Sequence, residues 1–172
     1  DADALNALRG KEADFFARHG GRTVITPHLL EFSRLSGLAT AEIKTDLIAA
    51  VMKFVRDYAV TVVLKGAPSL IASAKTGNIY VNETGNAGMA AGGMGDVLSG
   101  IIAAMIAHDG IGSIAAAACA AVYLHGAAGD YCAGRIGPYG FTPDEVADAV
   151  PEVLALWDKR RPLILLEKPY IM

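Results

Sequence analysis

The stretch GNAGMAAGGMGDVLSG, residues 85–100, changes within a few positions from a glycine-rich segment to an apolar helical pattern. Successive peptide N–H groups at the start of a helix point outward, and the helix dipole adds partial positive charge there. Glycines let another group approach such a backbone closely. The spacing matches neither the Walker A pattern nor GxGxxG. It nevertheless predicts an anion hole for a phosphoryl group, formed by Gly92, Gly93, Met94 and Gly95.

Asp96 follows this loop directly. A carboxylate beside phosphate-binding amides would repel the anion unless it had a chemical task. We predict that Asp96 accepts the proton of an attacking hydroxyl while the amides hold the transferring phosphoryl group. The alternative is an ordinary glycine-rich turn in which Asp96 caps the helix.

Size and composition predict one globular domain. The chain has 172 residues, of which 53% are hydrophobic, which is enough for one domain with a core. Its net charge is −3, and the only basic run, residues 159–161, is interpreted as a helix end. Nucleic acid and anionic membrane surfaces are therefore not expected as main partners.

Cysteine usage and the ends of the chain predict a cytoplasmic protein. Cys119 and Cys132 are interpreted as buried thiols of a reducing cytosol, and the alternative is a disulfide if the fold brings them close together. No apolar run reaches the roughly 18 residues that a membrane span needs, and the first residues do not resemble a signal peptide. The chain begins with Asp1 rather than Met, so we expect that an N-terminal part of the domain is missing.

Apolar periodicity predicts strands that alternate with helices, and then mostly helices. Strands are expected at residues 23–26 and 60–65, and a hairpin at 69–74 and 78–82. Helices are expected at residues 11–18, 29–35, 40–59 (capped by Thr40), 96–107 and 113–134. A further helix should start with a capping box at Thr142 and Glu145 and be kinked or split at Pro151. The tail, residues 162–172, could add an edge strand or pack on a partner.

This order predicts an α/β layered fold with a mainly parallel central sheet flanked by helices, and a single domain over residues 1–172.

Two further motifs follow predicted strands. Lys65 ends a buried strand, at the edge where open α/β sheets bind ligands, and could meet a phosphate while residues 66–69 line a nucleotide. The alternative is a turn with an exposed lysine. His28 and Glu31 would share one face of a helix, where His28 could contact substrate and Glu31 a metal-bound phosphate. The alternative is a helix cap with a solvated glutamate. The carboxylates near the start, at positions 1 and 3, could edge the same cleft or cap the next helix.

Four segments together resemble one family. DADALNAL (1–8), TPHLLEFSRL (26–35), VVLKGAPSLIA (62–72) and GNAGMAAGGMGDVLSG (85–100) occur in this order. They resemble the ADP-dependent NAD(P)H-hydrate dehydratase family, which has a ribokinase-like fold. The likeness covers nearly the whole chain but only the later part of the family's domain.

The resemblance implies a repair reaction that restores NADH or NADPH from their hydrates with ADP or ATP and Mg²⁺. It implies that His28 and Asp96 contact the hydrate and that Glu31 lies near the magnesium ion, through water. The implied contacts to the adenine nucleotide are Lys65, Gly66, Ala67, Pro68, Ser69 and Gly95.

The chain departs from the family pattern at three positions. Leu30 stands where a glycine is common, Met94 where a serine or threonine is common, and Ser69 replaces a common threonine. If position 94 contributes only its backbone amide, the change there costs nothing. Ser69 keeps a hydroxyl.

Two other functions stay open at this point: a small-molecule kinase of the same fold, acting on a sugar or a vitamin alcohol, and a non-catalytic nucleotide-binding fragment. A sheet that lacks its N-terminal strands would expose a bare edge. We therefore expect a homo-oligomer or association with the missing N-terminal segment.

Overall fold

A mixed four-stranded sheet forms the centre of the chain in a computed structural model that describes residues 1–108 and 112–158. The strands β1 (Val24–Ile25), β2 (Thr61–Leu64), β3 (Ser69–Ser73) and β4 (Ile79–Asn82) lie in the order β1-β2-β3-β4. β1 pairs with β2 in parallel, whereas the other two pairings are antiparallel. The predicted hairpin is confirmed as β3–β4.

The expectation of a mainly parallel sheet is therefore wrong for the described strands. Residues 65–68 alone connect β2 to β3, and a parallel crossover needs a dozen or more residues. So short a connection permits only an antiparallel return. The parallel component is confined to β1 and β2, and these two strands position the site.

Helices account for most of the remaining described residues. Their bounds are α1 Ala2–Leu8, α2 Glu12–His19, α3 Leu29–Ser36, α4 Thr40–Thr45, α5 Leu47–Tyr58, α6 Met94–Ala107, α7 Ile114–Ile136 and α8 Pro143–Asp158. Two short 3₁₀ turns, Gly20–Arg22 and Ala87–Met89, precede β1 and α6.

The single helix expected over residues 40–59 is broken into α4 and α5. Asp46 lies between them with non-helical backbone angles, and its side chain accepts a hydrogen bond from the Ala49 amide at 2.9 Å. Aspartate competes for nearby backbone donors in this way, so it favours a cap over a helix interior. Thr40 does not cap α4, because the N-cap position is Ala39.

The capping box that opens α8 is confirmed. The Thr142 amide donates to the Glu145 carboxylate at 2.6 Å, and the Glu145 amide donates to the Thr142 hydroxyl at 3.4 Å. Pro151 lies within one continuous helix, so the expected split does not occur. The basic run at 159–161 and the tail at 162–172 lie outside the described residues.

Helices cover both faces of the sheet. Side chains alternate along β2, so Val62 and Leu64 pack with α1, α2, α3 and α5, while Val63 packs with α6 and α7. A third apolar cluster joins α7 to α8. The result is a layered α/β arrangement in which α6 and α7 cover one face of the sheet.

Cys119 and Cys132 are both free thiols, as expected, but Cys132 is buried whereas Cys119 is only partly buried. Among the described helices, none is both long and apolar enough to span a membrane.

Candidate functional site

The candidate site lies where the two parallel strands end. The Lys65 amide donates to the Pro27 carbonyl at 2.8 Å, and His28 and Lys65 form an isolated parallel bridge. Parallel strands end at the same edge, so the motifs that follow β1 and β2 meet there. The contact places His28 and Lys65, each of which follows a predicted strand, at the same edge of the sheet.

His28 and Glu31 form the cap of α3. The imidazole Nδ1 of His28 accepts hydrogen bonds from the amides of Leu30 and Glu31, each at 3.2 Å, and the Glu31 carboxylate accepts the His28 amide at 2.8 Å. The cap of the alternative interpretation is therefore present, but its solvated glutamate is not, because Glu31 is buried. Because Nδ1 is an acceptor here, a neutral His28 carries its proton on Nε2. The side chain is half exposed, so this donor remains available to a ligand.

Lys65 lies among carboxylates. Its ammonium Nζ is 2.5 Å from Asp1 Oδ1 and 3.9 Å from Glu31 Oε2. Burial lowers the pKa of Lys65, and the nearby charges of Glu31 and Asp96 act in the opposite direction. The lysine therefore forms a partly buried positive centre that α1, α3 and α6 share.

Gly95 brings the glycine-rich loop to this lysine. A Cβ atom at Gly95 would lie 3.0 Å from Asp1 Oδ2 and 3.3 Å from Lys65 Nζ, which is tighter than side chains normally pack. Asp1 Oδ2 also accepts the Ser99 hydroxyl at 3.4 Å. The absence of a side chain at position 95 thus lets the start of α6 approach the end of β2.

The helix after the loop begins at Met94, two residues before the expected start at 96. Gly93 precedes it with a φ of 93°, a left-handed conformation that glycine adopts without strain. The Met94 amide donates to the Ala91 carbonyl at 3.4 Å, and its side chain is buried. Within the described residues, no backbone or side-chain hydrogen bond takes the amides of Gly92, Gly93 or Gly95.

Asp96 is exposed in the first turn of α6. Its side chain does not cap the helix, because the N-cap residue is Gly93 and no side chain forms a capping hydrogen bond there. The alternative in which Asp96 is a cap is therefore wrong. The carboxylate is close enough to Lys65 to favour the charged ammonium.

The predicted nucleotide segment after Lys65 is a tight turn. The Gly66 amide donates to the Ser69 hydroxyl at 3.3 Å, and that hydroxyl donates to the Gly66 carbonyl at 3.0 Å. Gly66, Ala67 and Pro68 are exposed. The turn lies next to Lys65 in sequence and presents backbone groups at the surface.

Sequence reasoning left one site residue undecided and missed another. Asp1 had two interpretations, and the structure places its carboxylate against Lys65. Asp130 was not singled out, although it is the one carboxylate in the alanine- and glycine-rich α7. Its carboxylate contacts the start of the glycine-rich segment. A lone carboxylate in an apolar helix was the signal that could have found it.

No cluster of three or more metal-ligating side chains occurs in residues 1–108 and 112–158. The Glu31 carboxylate makes its hydrogen bond to the His28 amide and its ion pairs with His28 and Lys65 through Oε2. A bound cation would therefore draw most of its ligands from phosphates and water, which suits magnesium.

A family model of NAD(P)H-hydrate dehydratases matches residues 1–152, and the site residues described above lie within this range. The chain belongs to the NAD(P)H-hydrate dehydratase family. A relative from Neisseria meningitidis serogroup B, named ADP-dependent (S)-NAD(P)H-hydrate dehydratase, is 45% identical over 151 residues, which are 87% of this chain and 50% of the relative. A bifunctional NAD(P)H-hydrate repair enzyme from Moorella thermoacetica is 44% identical over 154 residues, 90% of this chain and 28% of the relative.

Solved structures agree on the ribokinase-like fold of this family member. A ribokinase-like superfamily protein from Enterococcus faecalis superposes with a TM-score of 0.76 at 30% identity, over 90% of this chain and 51% of its own. An ADP/ATP-dependent NAD(P)H-hydrate dehydratase from Bacillus subtilis, co-crystallized with ATP/Mg²⁺, gives 0.70 at 30% identity, over 81% of this chain and 51% of its own. The chain thus spans about half the length of these proteins or less.

Proposed function

We propose that residues 1–172 form part of a single domain that dehydrates NAD(P)H hydrate in a reaction that consumes ADP or ATP. Family membership supports this activity, and relatives that this chain matches over most of its length carry the corresponding names. The observation that carries the proposal is the close approach of Gly95 to Lys65. It puts a glycine-rich helix start, a cation and the exposed Asp96 in one place.

In the proposed mechanism, Asp96 removes the proton from the hydroxyl that hydration added to the nicotinamide ring. The amides of Gly92, Gly93 and Gly95 bind the transferring phosphoryl group, and Lys65 balances its charge. His28 donates a hydrogen bond from its Nε2–H group to the hydrate. Phosphate then leaves with the ring oxygen, a proton leaves the neighbouring carbon, and the ring double bond returns.

Glu31 would meet magnesium through water. Its Oε2 is occupied by the α3 cap and Lys65, so the other carboxylate oxygen is the one that would meet a hydrated ion. Magnesium keeps several waters in sites of this kind, and when bound it neutralises phosphate charge. The exposed turn of Gly66, Ala67, Pro68 and Ser69 would line the nucleotide with backbone groups.

We further propose that more polypeptide covers β1. This strand is the last of the described sheet on its side, and its neighbours in the chain pair only with β2. Relatives of about twice the matched length support the preceding segment of the same domain as the cover, with a second copy as the alternative. The two free thiols support a reducing cytoplasm.

The test supplies NADH hydrate with ADP or ATP and Mg²⁺, and follows the return of NADH absorbance. The chain is assayed alone and together with the N-terminal half of the domain of the Neisseria relative. Recovery that requires the nucleotide supports the proposal. Phosphorylation of a sugar without recovery would favour a kinase, and nucleotide binding without any turnover in either mixture would favour a non-catalytic fragment.

A further inference from the structure

The segment before the glycine-rich loop is seated on one face of α7. A Cβ atom at Gly126 would lie 2.2 Å from the Thr84 hydroxyl oxygen, and one at Gly129 would lie 2.2 Å from the Met89 sulfur. The Thr84 hydroxyl also donates to the Tyr123 carbonyl at 3.0 Å. The segment therefore touches the helix backbone itself, which only glycines at these positions allow.

Asp130 lies one turn along the same face and binds this segment with both carboxylate oxygens. Oδ2 accepts the Gly85 amide at 2.9 Å, and Oδ1 accepts the Asn86 side-chain amide at 3.0 Å. The Asn86 carbonyl oxygen in turn accepts the Gly88 amide at 3.0 Å. Asn86 therefore uses its donor and its acceptor at once, and the order of these bonds requires two acceptor atoms at position 130.

A series of backbone hydrogen bonds leads from this contact to the phosphoryl-binding loop. The amide of Met89 donates to Asn86, that of Ala90 to Ala87, and that of Met94 to Ala91, at 3.1, 3.1 and 3.4 Å. Met94 is buried in the cluster of α7 and α8. The loop is thus held to α7 and α8 on both sides of Gly92.

We propose that Asp130 is a positioning residue for the phosphoryl-binding loop: through Gly85 and Asn86 it fixes where the amides of Gly92, Gly93 and Gly95 point. This role rests on the proposed function. In this proposal Asp130 does not contact the phosphoryl group itself and acts only by holding the loop. Loosening this contact should lower the turnover number more than it weakens substrate binding, because oriented amides matter most in the transition state.

A reciprocal exchange of side chains tests the role. Asp130→Asn replaces one of the two acceptor oxygens at position 130 with an NH₂ group, which then faces one of the two donors, the Gly85 amide or the Asn86 side-chain amide. Asn86→Asp places a second carboxylate beside that of Asp130. In the double variant, the new amide side chain at position 130 can accept the Gly85 amide and donate to the new carboxylate at position 86. That carboxylate can still accept the Gly88 amide. All of the original contacts are then restored, with donor and acceptor reversed between positions 86 and 130. Asp148→Asn, an exposed carboxylate on α8, is the matched control.

Amide hydrogen exchange measures how each substitution affects the loop, and it does not require catalytic turnover. In each single variant, peptides covering residues 85–95 should lose protection while those of β2 and α5 keep theirs, and the double variant should regain it. Unchanged protection in the single variants, or loss spread evenly over the chain, would overturn the role.

Steady-state kinetics supply the second measurement. They are run with the chain alone or with the added N-terminal half of the relative's domain, whichever dehydrates the NADH hydrate. Each single variant should lose about 10- to 100-fold in kcat with little change in KM, and the double variant should recover most of it. Equal changes in kcat and KM, or no recovery, would overturn the role. A wild-type chain that binds nucleotide but never turns over contradicts the proposed function alone, because the exchange experiment still decides the role of Asp130.

Discussion

At the scale of single residues, Asp96 is the side chain whose role can be isolated most cleanly. It is exposed, caps nothing and lies near Lys65, so removing its charge should leave the fold intact. We expect Asp96→Asn to leave nucleotide binding nearly unchanged and to cut turnover by a factor on the order of 10² or more, as for a lost general base. Calorimetric nucleotide titration and the dehydration assay measure the two effects. Unchanged turnover would remove Asp96 from the mechanism.

Lys65 should act on binding first. Its ammonium contacts Asp1 and Glu31, and these carboxylates would face a nucleotide phosphate uncompensated without it. We expect Lys65→Ala to weaken nucleotide affinity, because repulsion replaces attraction at the phosphate. Lys75→Ala, in the exposed hairpin turn, is the matched control. Equal affinities for the two variants would show that Lys65 does not meet the nucleotide.

At the scale of elements, features set by neighbouring residues were predictable. The hairpin β3–β4, the capping box of α8 and the helix after the glycines all follow from local patterns. The break at Asp46 was missed, because the apolar spacing of residues 40–59 continues through it while the aspartate prefers to cap.

Contacts between distant parts of the chain could not be predicted in the same way. Asp1 reaches Lys65 across 64 positions, and Asp130 reaches Gly85 across 45. Such pairs depend on how α1 and α7 pack on the sheet, and no local pattern encodes that packing. The motifs pointed to the candidate site residues, but not to the groups that hold them in place.

The packing of α6 on α7 carries a pH dependence. Burial lowers the pKa of His125 on α7 from 6.5 to about 4, while the backbone of Met94 works in the opposite direction. The unfolded chain thus binds more protons than the folded chain between these pH values, so stability rises with pH across this window. Acidification from pH 6.5 to 4 should cost up to about 3 kcal/mol of the free energy of unfolding through this group.

Urea denaturation at several pH values measures this contribution. His125→Leu should flatten the stability profile between pH 4 and 6.5, whereas His108→Leu, at an exposed position, should not. If His125→Leu keeps the full slope, other groups cause it.

At the scale of the whole molecule, the open side of β1 decides how the chain behaves in solution. The carbonyls of Thr23 and Pro27 accept hydrogen bonds from the β2 side. Peptide groups alternate in direction along a strand, so those of Val24 and Thr26 face away from β2. Val24 also packs against the cluster of α6 and α7. An unpaired strand edge favours association with another chain.

We therefore expect the 172-residue chain to show, by sedimentation, an apparent mass above that of its monomer. Self-association should decrease when the N-terminal half of a relative's domain is added. Val24→Pro removes an outward amide without touching the β1–β2 bonds, which proline tolerates at an edge. It should reduce self-association while thermal unfolding stays cooperative. Val81→Pro lies on β4, the opposite edge strand of the sheet. It shows which edge is responsible, because it should leave association through β1 intact. A monodisperse monomer of the unmodified chain at high concentration would contradict the uncovered edge at β1.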